Sequence, residues 1–157
     1  MSSWKPDAID YRILDILQKD GRIDVTRIAR KVNKTPHPVH DRIDRLEQEG
    51  YIKGYVALLD RAKIGKAVLV ITSVQLVQQT TELLREFEQL AAALPEVQNC
   101  FHVSGPWNFM LHISAAAPQD YFNFIMERIN SLPNVAHTES AFVMHECKTF
   151  GPFVIKF

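Results

Sequence analysis

The side chains best suited to chemistry or recognition here are six histidines and a band of arginines and lysines near the start of the chain. His37, His40 and Asp41 have the spacing of metal ligands on a helix, but no further cluster completes such a site, so no metal is expected. His102, His112 and the pair His145-Glu146 could move protons. No nucleophile elbow, phosphate loop or metal spacing accompanies them, so the chain reads as no enzyme and no catalytic residue is assigned. The basic band is more informative. From Arg22 to Arg45 there are seven bases against three acids, a local charge of +4, whereas residues 61–157 hold seven bases and eight acids. On a chain of 157 residues whose formal net charge is zero, a local basic stretch of this kind can contact phosphates without a high overall pI.

Three short helices must position those residues. Ile9, Ile13, Leu14, Ile16 and Leu17 recur at helical spacing from Asp7 to Lys19, with Asp10, Arg12, Asp15 and Lys19 expected outward and Asp7 as N-cap. Val25, Ile28, Ala29 and Val32 give a second helix capped by Asp24. Asn33-Lys34 then turns the chain into Thr35, an N-cap followed by Pro36 at the first helical position. The third helix reaches about Glu49 and stops at Gly50. This is the helix-turn-helix arrangement. In the third helix Val39, Ile43 and Leu46 point into the core, leaving His37, Asp41, Asp44, Arg45 and Gln48 opposite and His40 and Arg42 on the flanks.

The N-terminal part of such an outward face meets base edges in double-stranded DNA. His37, His40, Asp41 and Arg45 are therefore the candidate readers, with Thr35 at the helix start beside them. Arg42, Arg27, Arg30, Lys31 and Lys34 suit phosphates, which set affinity rather than sequence. Carboxylates repel phosphate, and Asp44 is expected to pair with a neighbouring arginine.

Residues 51–60 read as an extended, strand-like connector, and residues 61–66 as a polar linker. The expected division is residues 1–50, 51–66 and 67–157. Beyond the linker, Val68 to Val77 is an apolar strand and Thr80 to Leu94 a helix ended by Pro95. Val97 to Ser104 is a strand with Val97, Phe101 and Val103 on one face. Gly105-Pro106 turns the chain into a strand whose apolar face is Trp107, Phe109, Leu111 and Ile113. A helix over Gln119 to Leu132, with Phe122, Ile125, Ile129 and Leu132 inward, precedes a last strand from Val135 to Cys147. The order β-α-β-β-α-β gives an α+β chain: a three-helix N-terminal domain, then a ferredoxin-like unit with both helices on one sheet face.

The other sheet face, including Asn108, Met110, His112 and Ser114, is expected to pack on a second subunit, giving at least a dimer. Cys100 and Cys147, on opposite edge strands, are expected to stay reduced. No apolar run is long enough to span a membrane, and Met1-Ser2-Ser3-Trp4-Lys5-Pro6 lacks the apolar core of a secretion signal. A cytoplasmic location is expected.

Taken in order, several motifs resemble the Lrp/AsnC family of transcriptional regulators. They are Asp10-Tyr11-Arg12-Ile13-Leu14, Leu17-Gln18-Lys19-Asp20-Gly21-Arg22, Thr35-Pro36-His37-Pro38-Val39 and Arg42-Ile43-Asp44-Arg45-Leu46-Glu47. Gly50-Tyr51-Ile52-Lys53-Gly54-Tyr55, Val103-Ser104-Gly105-Pro106-Trp107-Asn108-Phe109, Val143-Met144 and Val154-Ile155-Lys156 continue the series to the end of the chain. The resemblance implies a winged helix-turn-helix domain, a strand-containing hinge and a βαββαβ regulatory domain. It also implies dimers assembled into octamers, no cofactor, and an amino acid or related metabolite as effector. The effector loop maps to Ser104, Gly105, Pro106, Trp107 and Asn108, with Thr138 and Ser140 as companions on the last strand. Where amino-acid-binding members often carry an acidic residue this chain has Asn108, which offers a hydrogen bond but no charge.

Overall fold

The computed structural model describes residues 4–156, so the first three residues of the N-terminal stretch read above lie outside it. The chain divides into two compact units. One comprises residues 4–58 together with 148–156, and the other residues 59–147. Residues 148–156, read from the sequence with the second domain, make their contacts within the first unit.

In the helical unit α1 is Ala8–Leu17, α2 Val25–Lys31 and α3 Pro36–Gln48. Each start follows from its cap. The Asp7 carboxylate accepts from the Ile9 and Asp10 amides, and Asp10 reaches back to the Asp7 amide, closing a reciprocal box. Asp24 accepts from the Arg27 amide. Asn33 takes a positive φ of 53° to turn from α2 towards α3, and Gly50, at φ 76°, ends α3. Ile13, Ile28, Ala29, Val32, Val39, Ile43 and Leu46 form the core.

Asp10, expected to face outward, is 2% exposed. It is buried because Arg42 of α3 comes to meet it. The strand expected over residues 51–60 is likewise not formed within the chain, since an extended segment needs a partner to satisfy its backbone. Tyr55 nevertheless ties this stretch back to α3 by donating its hydroxyl to Glu47 at 2.9 Å. Burial, and then that carboxylate, push its phenol up to about 12.

The second unit is a four-stranded antiparallel sheet in the order β2-β3-β1-β4, with β1 Val68–Leu76, β2 Val97–His102, β3 Phe109–Ala115 and β4 Val135–Phe142. Helix α4 is Thr81–Ala92, capped by Thr80. Helix α5, Pro118–Phe124, continues as a π-helical turn over Ile125–Ile129. Val70, Val74, Phe87, Phe109, Leu111, Ile113 and Ile129 are fully buried or nearly so between sheet and helices.

The βαββαβ unit is therefore as expected, with differences in detail. Tyr121, not Phe122, points into the core, and Phe122 is exposed. The last strand ends at Phe142 rather than Cys147. Phe101 does not share a face with Val97. A register shift between Val97 and Asn99 sets Val97 opposite Ile113 but Phe101 opposite Met110, and one extra residue reverses every later side chain. Cys100 and Cys147 are both free, and β2 and β4 are the two sheet edges.

Candidate nucleic-acid interface and effector loop

Helix α3 presents two contrasting sides. Val39, Ile43 and Leu46 are buried, while Thr35, His37, His40, Asp41 and Arg45 are exposed along one stretch of surface. His37 Nε2 lies 3.9 Å from Asp41 Oδ2, and His40 Nδ1 lies 3.6 Å from Asp44 Oδ1. Asp44 thus meets a histidine one turn back, rather than the arginine expected. Both pairs are open to water and weakly held, so their edges remain free to exchange partners with a polyanion or a base. Thr35 caps α3 through its backbone only, which leaves its hydroxyl without a capping role.

The expected phosphate ligands separate into two groups. Arg30, Lys31 and Lys34 are exposed in the last turn of α2 and the turn after it, directly before α3. Arg27 is exposed too and rests 3.3 Å from Asp24. Arg42 is different. Its Nη1 donates to Asp10 Oδ1 at 2.6 Å and to Asp7 Oδ2 at 2.8 Å, and its side chain is only 32% exposed.

The Asp10 carboxylate, ahead of Asp7, raises the Arg42 pKa above its ordinary value. Burial pushes the Asp7 carboxyl upward, but the Asp10 amide, the Arg42 guanidinium and the Ile9 amide together hold it below the usual value. An arginine so engaged locks α3 onto the start of α1. Only Nη1 is engaged in this way. Arg45 gains a support that no sequence spacing signalled. Its guanidinium lies 5.6 Å from the Trp4 ring centroid, and Trp4 packs edge-on against Tyr51 at 5.7 Å.

In the second unit the loop after β2 is shaped by Asn108. Its amide N–H donates to the Val74 carbonyl at 2.9 Å, its carbonyl accepts from the Val103 amide at 2.9 Å, and its side-chain oxygen accepts from the Leu76 amide at 2.8 Å. Asn108 is 6% exposed. It is the pin that ties the loop to the end of β1, not an open ligand group. Ser104, Gly105 and Pro106 are exposed, and Gly105 takes a φ of 119° that favours glycine.

Trp107, half-buried, stacks on His137 of β4 at 5.7 Å, so loop and last strand do meet. They do not meet through the two hydroxyls expected. Thr138 donates to Asn130 Oδ1 at 3.0 Å, and Ser140 makes a short contact with the Tyr121 hydroxyl, both on the helix side of the sheet. The alternation of a strand puts His137 on one face and Thr138 and Ser140 on the other.

Residues 6–53 match the winged helix-turn-helix DNA-binding model, and residues 69–153 match the Lrp/AsnC ligand binding domain model. The chain belongs to the Lrp/AsnC family. The leucine-responsive regulatory protein of Haemophilus influenzae is 35% identical over 150 residues, covering 96% of this chain and 90% of that protein. Its counterpart in Escherichia coli (strain K12) is 34% identical, at 96% and 92% coverage.

An AsnC family transcriptional regulator from Agrobacterium tumefaciens superposes with a TM-score of 0.86 at 30% identity, over 94% of this chain and 96% of that one. A transcriptional regulator from Neisseria meningitidis, solved with L-methionine, gives 0.85 at 25% identity, over 92% and 94%. The Lrp/AsnC membership makes the helical unit a DNA-binding domain and the sheet unit a ligand-binding domain, in one transcriptional regulator.

Proposed function

We propose that the chain reads a pseudo-palindromic DNA site through α3, with His37, His40, Asp41 and Arg45 at base edges. Arg27, Arg30, Lys31, Lys34 and Thr35 are placed on phosphates. The observation that carries this reading is the division of α3 into a buried Val39-Ile43-Leu46 stripe and an exposed polar one, flanked by exposed bases of α2. Two such helices of a dimer enter major grooves about 34 Å apart. The dimer packs through the open sheet face, where Met110 and His112 lie, and associates further to an octamer in the cytoplasm. The protein acts by binding and not by catalysis.

The effector is an amino acid or related metabolite, held by Ser104, Gly105, Pro106 and Trp107 where dimers meet. The L-methionine in the Neisseria meningitidis regulator and the leucine-responsive relatives support that class. Effector binding that shifts assembly would be coupled to DNA binding by about 1–3 kcal/mol.

The test is a gel-shift titration against the upstream region of the gene itself, at two salt concentrations with competitor DNA. The expected result is specific retardation that weakens steeply with salt. Replacing Arg30 or Lys34 with Ala should lower the salt slope by about one each, while His37→Ala should relax one operator position by about 1–3 kcal/mol. Folded protein that gives no shift at low salt, with and without L-methionine and L-leucine, overturns the reading.

A further inference from the structure

Two arginines of α3 line one hollow of about 240 Å³ at the start of α1, and they are held in different ways. Arg42 spends Nη1 on the Asp10 and Asp7 carboxylates. Among the described residues, no carboxylate pairs with Arg45. Asp41, one turn back and the ordinary helical partner for it, lies instead 3.9 Å from His37. The Arg45 guanidinium rests over the Trp4 ring, 5.6 Å from its centroid. Trp4 is itself fixed in place. It is half-buried, packs on the core that holds Ile13, Val39 and Leu46, and meets Tyr51 edge-on at 5.7 Å. The two ways of holding an arginine leave it different donors. An ion pair occupies N–H groups of the guanidinium, whereas a ring face attracts the charge and leaves those groups unspent.

We infer that Trp4 is a specificity-determining positioning residue, which holds Arg45 ready to read one guanine in each DNA half-site. Guanine is the base because its O6 and N7 accept the two parallel donors of a guanidinium in the major groove, and no other base edge there offers two adjacent acceptors. A long exposed side chain loses rotamer freedom when it binds; one already held on a ring has less to lose. Trp4 therefore raises the preference for that base by acting through Arg45. The charge of Arg45 is the same with or without the ring, so the general attraction to phosphate does not depend on Trp4. The inference rests on the proposed DNA reading, in which Arg45 stands at a base edge.

The experiment measures binding of the full-length protein to duplexes from the upstream region of the gene that carry every single-base change. Wild type is compared with Arg45→Ala, with Trp4→Met, which fills the space without a ring face, with Trp4→Phe, which keeps a smaller one, and with the double variant Trp4→Met, Arg45→Ala. Urea unfolding of each variant reads its fold. Arg45→Ala should relax the preference at a G·C pair, and Trp4→Met should relax the same pair by about two- to fivefold, with Trp4→Phe between it and wild type. The double variant should lose no more than Arg45→Ala alone, and the salt slope and the affinity for unrelated competitor DNA should not move in the Trp4 variants. A Trp4 that only supports the fold would weaken all sequences alike. That result, an unchanged preference at the Arg45 position, or losses that add in the double variant, overturns the role of Trp4. If Trp4→Met does not fold, Trp4→Phe decides: relaxation confined to the Arg45 position supports the role, and none overturns it. Arg45→Ala that relaxes no position overturns Arg45 as a reader and Trp4 with it, and wild-type protein that retards no duplex counts against the DNA reading itself.

Discussion

The two units solve the same problem, a polar group inside a core, in opposite ways. The helical unit buries a charge, Asp10, and answers it with Arg42 from a helix far along the chain. Among the described residues, the polar side chains that are buried whole in the sheet unit are neutral: Thr72, Asn108 and Ser114. Thr72, fully buried, shares a 2.7 Å hydrogen bond with the Tyr121 hydroxyl, and Asn108 closes a strand end. The difference follows from what holds each unit together. A sheet has its backbone ladder to fix strand against strand, so its side chains need only fill space and satisfy stray amides. Three short helices share no ladder, and their core is small, so an ion pair that is strong only in one geometry sets how α3 crosses α1. The unit that must present a reading helix at a definite angle is the one with the directional contact.

That contrast can be broken from either side. The largest effect is expected at Asp10. Asp10→Ala leaves Arg42 half-buried with Asp7 alone, and breaking such a pair costs about 3 kcal/mol, seen as early unfolding of the helical unit in urea. The double variant Asp10→Leu, Arg42→Leu should lose less than Asp10→Ala, since no charge is left stranded. In the sheet unit Asn108→Ala strands the buried Leu76 amide and costs about 2 kcal/mol, with the helical transition unmoved. Tyr121→Phe removes the hydroxyl shared by Thr72 and Ser140 and costs about 1 kcal/mol in the same assay.

The smallest effect is one of pH. Asp7 is held below its unfolded value of about 3.9, so its contribution is present above that pH and lost as pH falls through the lower, folded value. Far-ultraviolet circular dichroism should show the helical unit loosening first in acid. Asp7→Asn should flatten that pH dependence; a sheet unit that unfolds first would invert the comparison.

Much of this was legible in the chain itself, and the reasons differ from element to element. Helix starts and stops are local events, so Asp7, Asp24, Pro36 and Gly50 announced them. The buried stripe of α3 followed from its period, and with it the exposure of His37, His40, Asp41 and Arg45. The βαββαβ order came from runs of apolar residues punctuated by Pro95 and Gly105-Pro106. These are properties of neighbours within a few residues, where backbone geometry alone decides which side chains share a face.

What only tertiary structure decided involves partners far apart in sequence. Asp10 reads as a surface residue until Arg42 is brought to it. Asn108 occupies a loop position that suits a ligand, yet the end of β1 needed an acceptor for the Leu76 amide. Phe101 changed sides because β2 slips its register by a residue, which no alternation within β2 can reveal. In each case the deciding term is the cost of leaving a buried or extended polar group unpaired, and that cost is known only once the fold has chosen which groups are near.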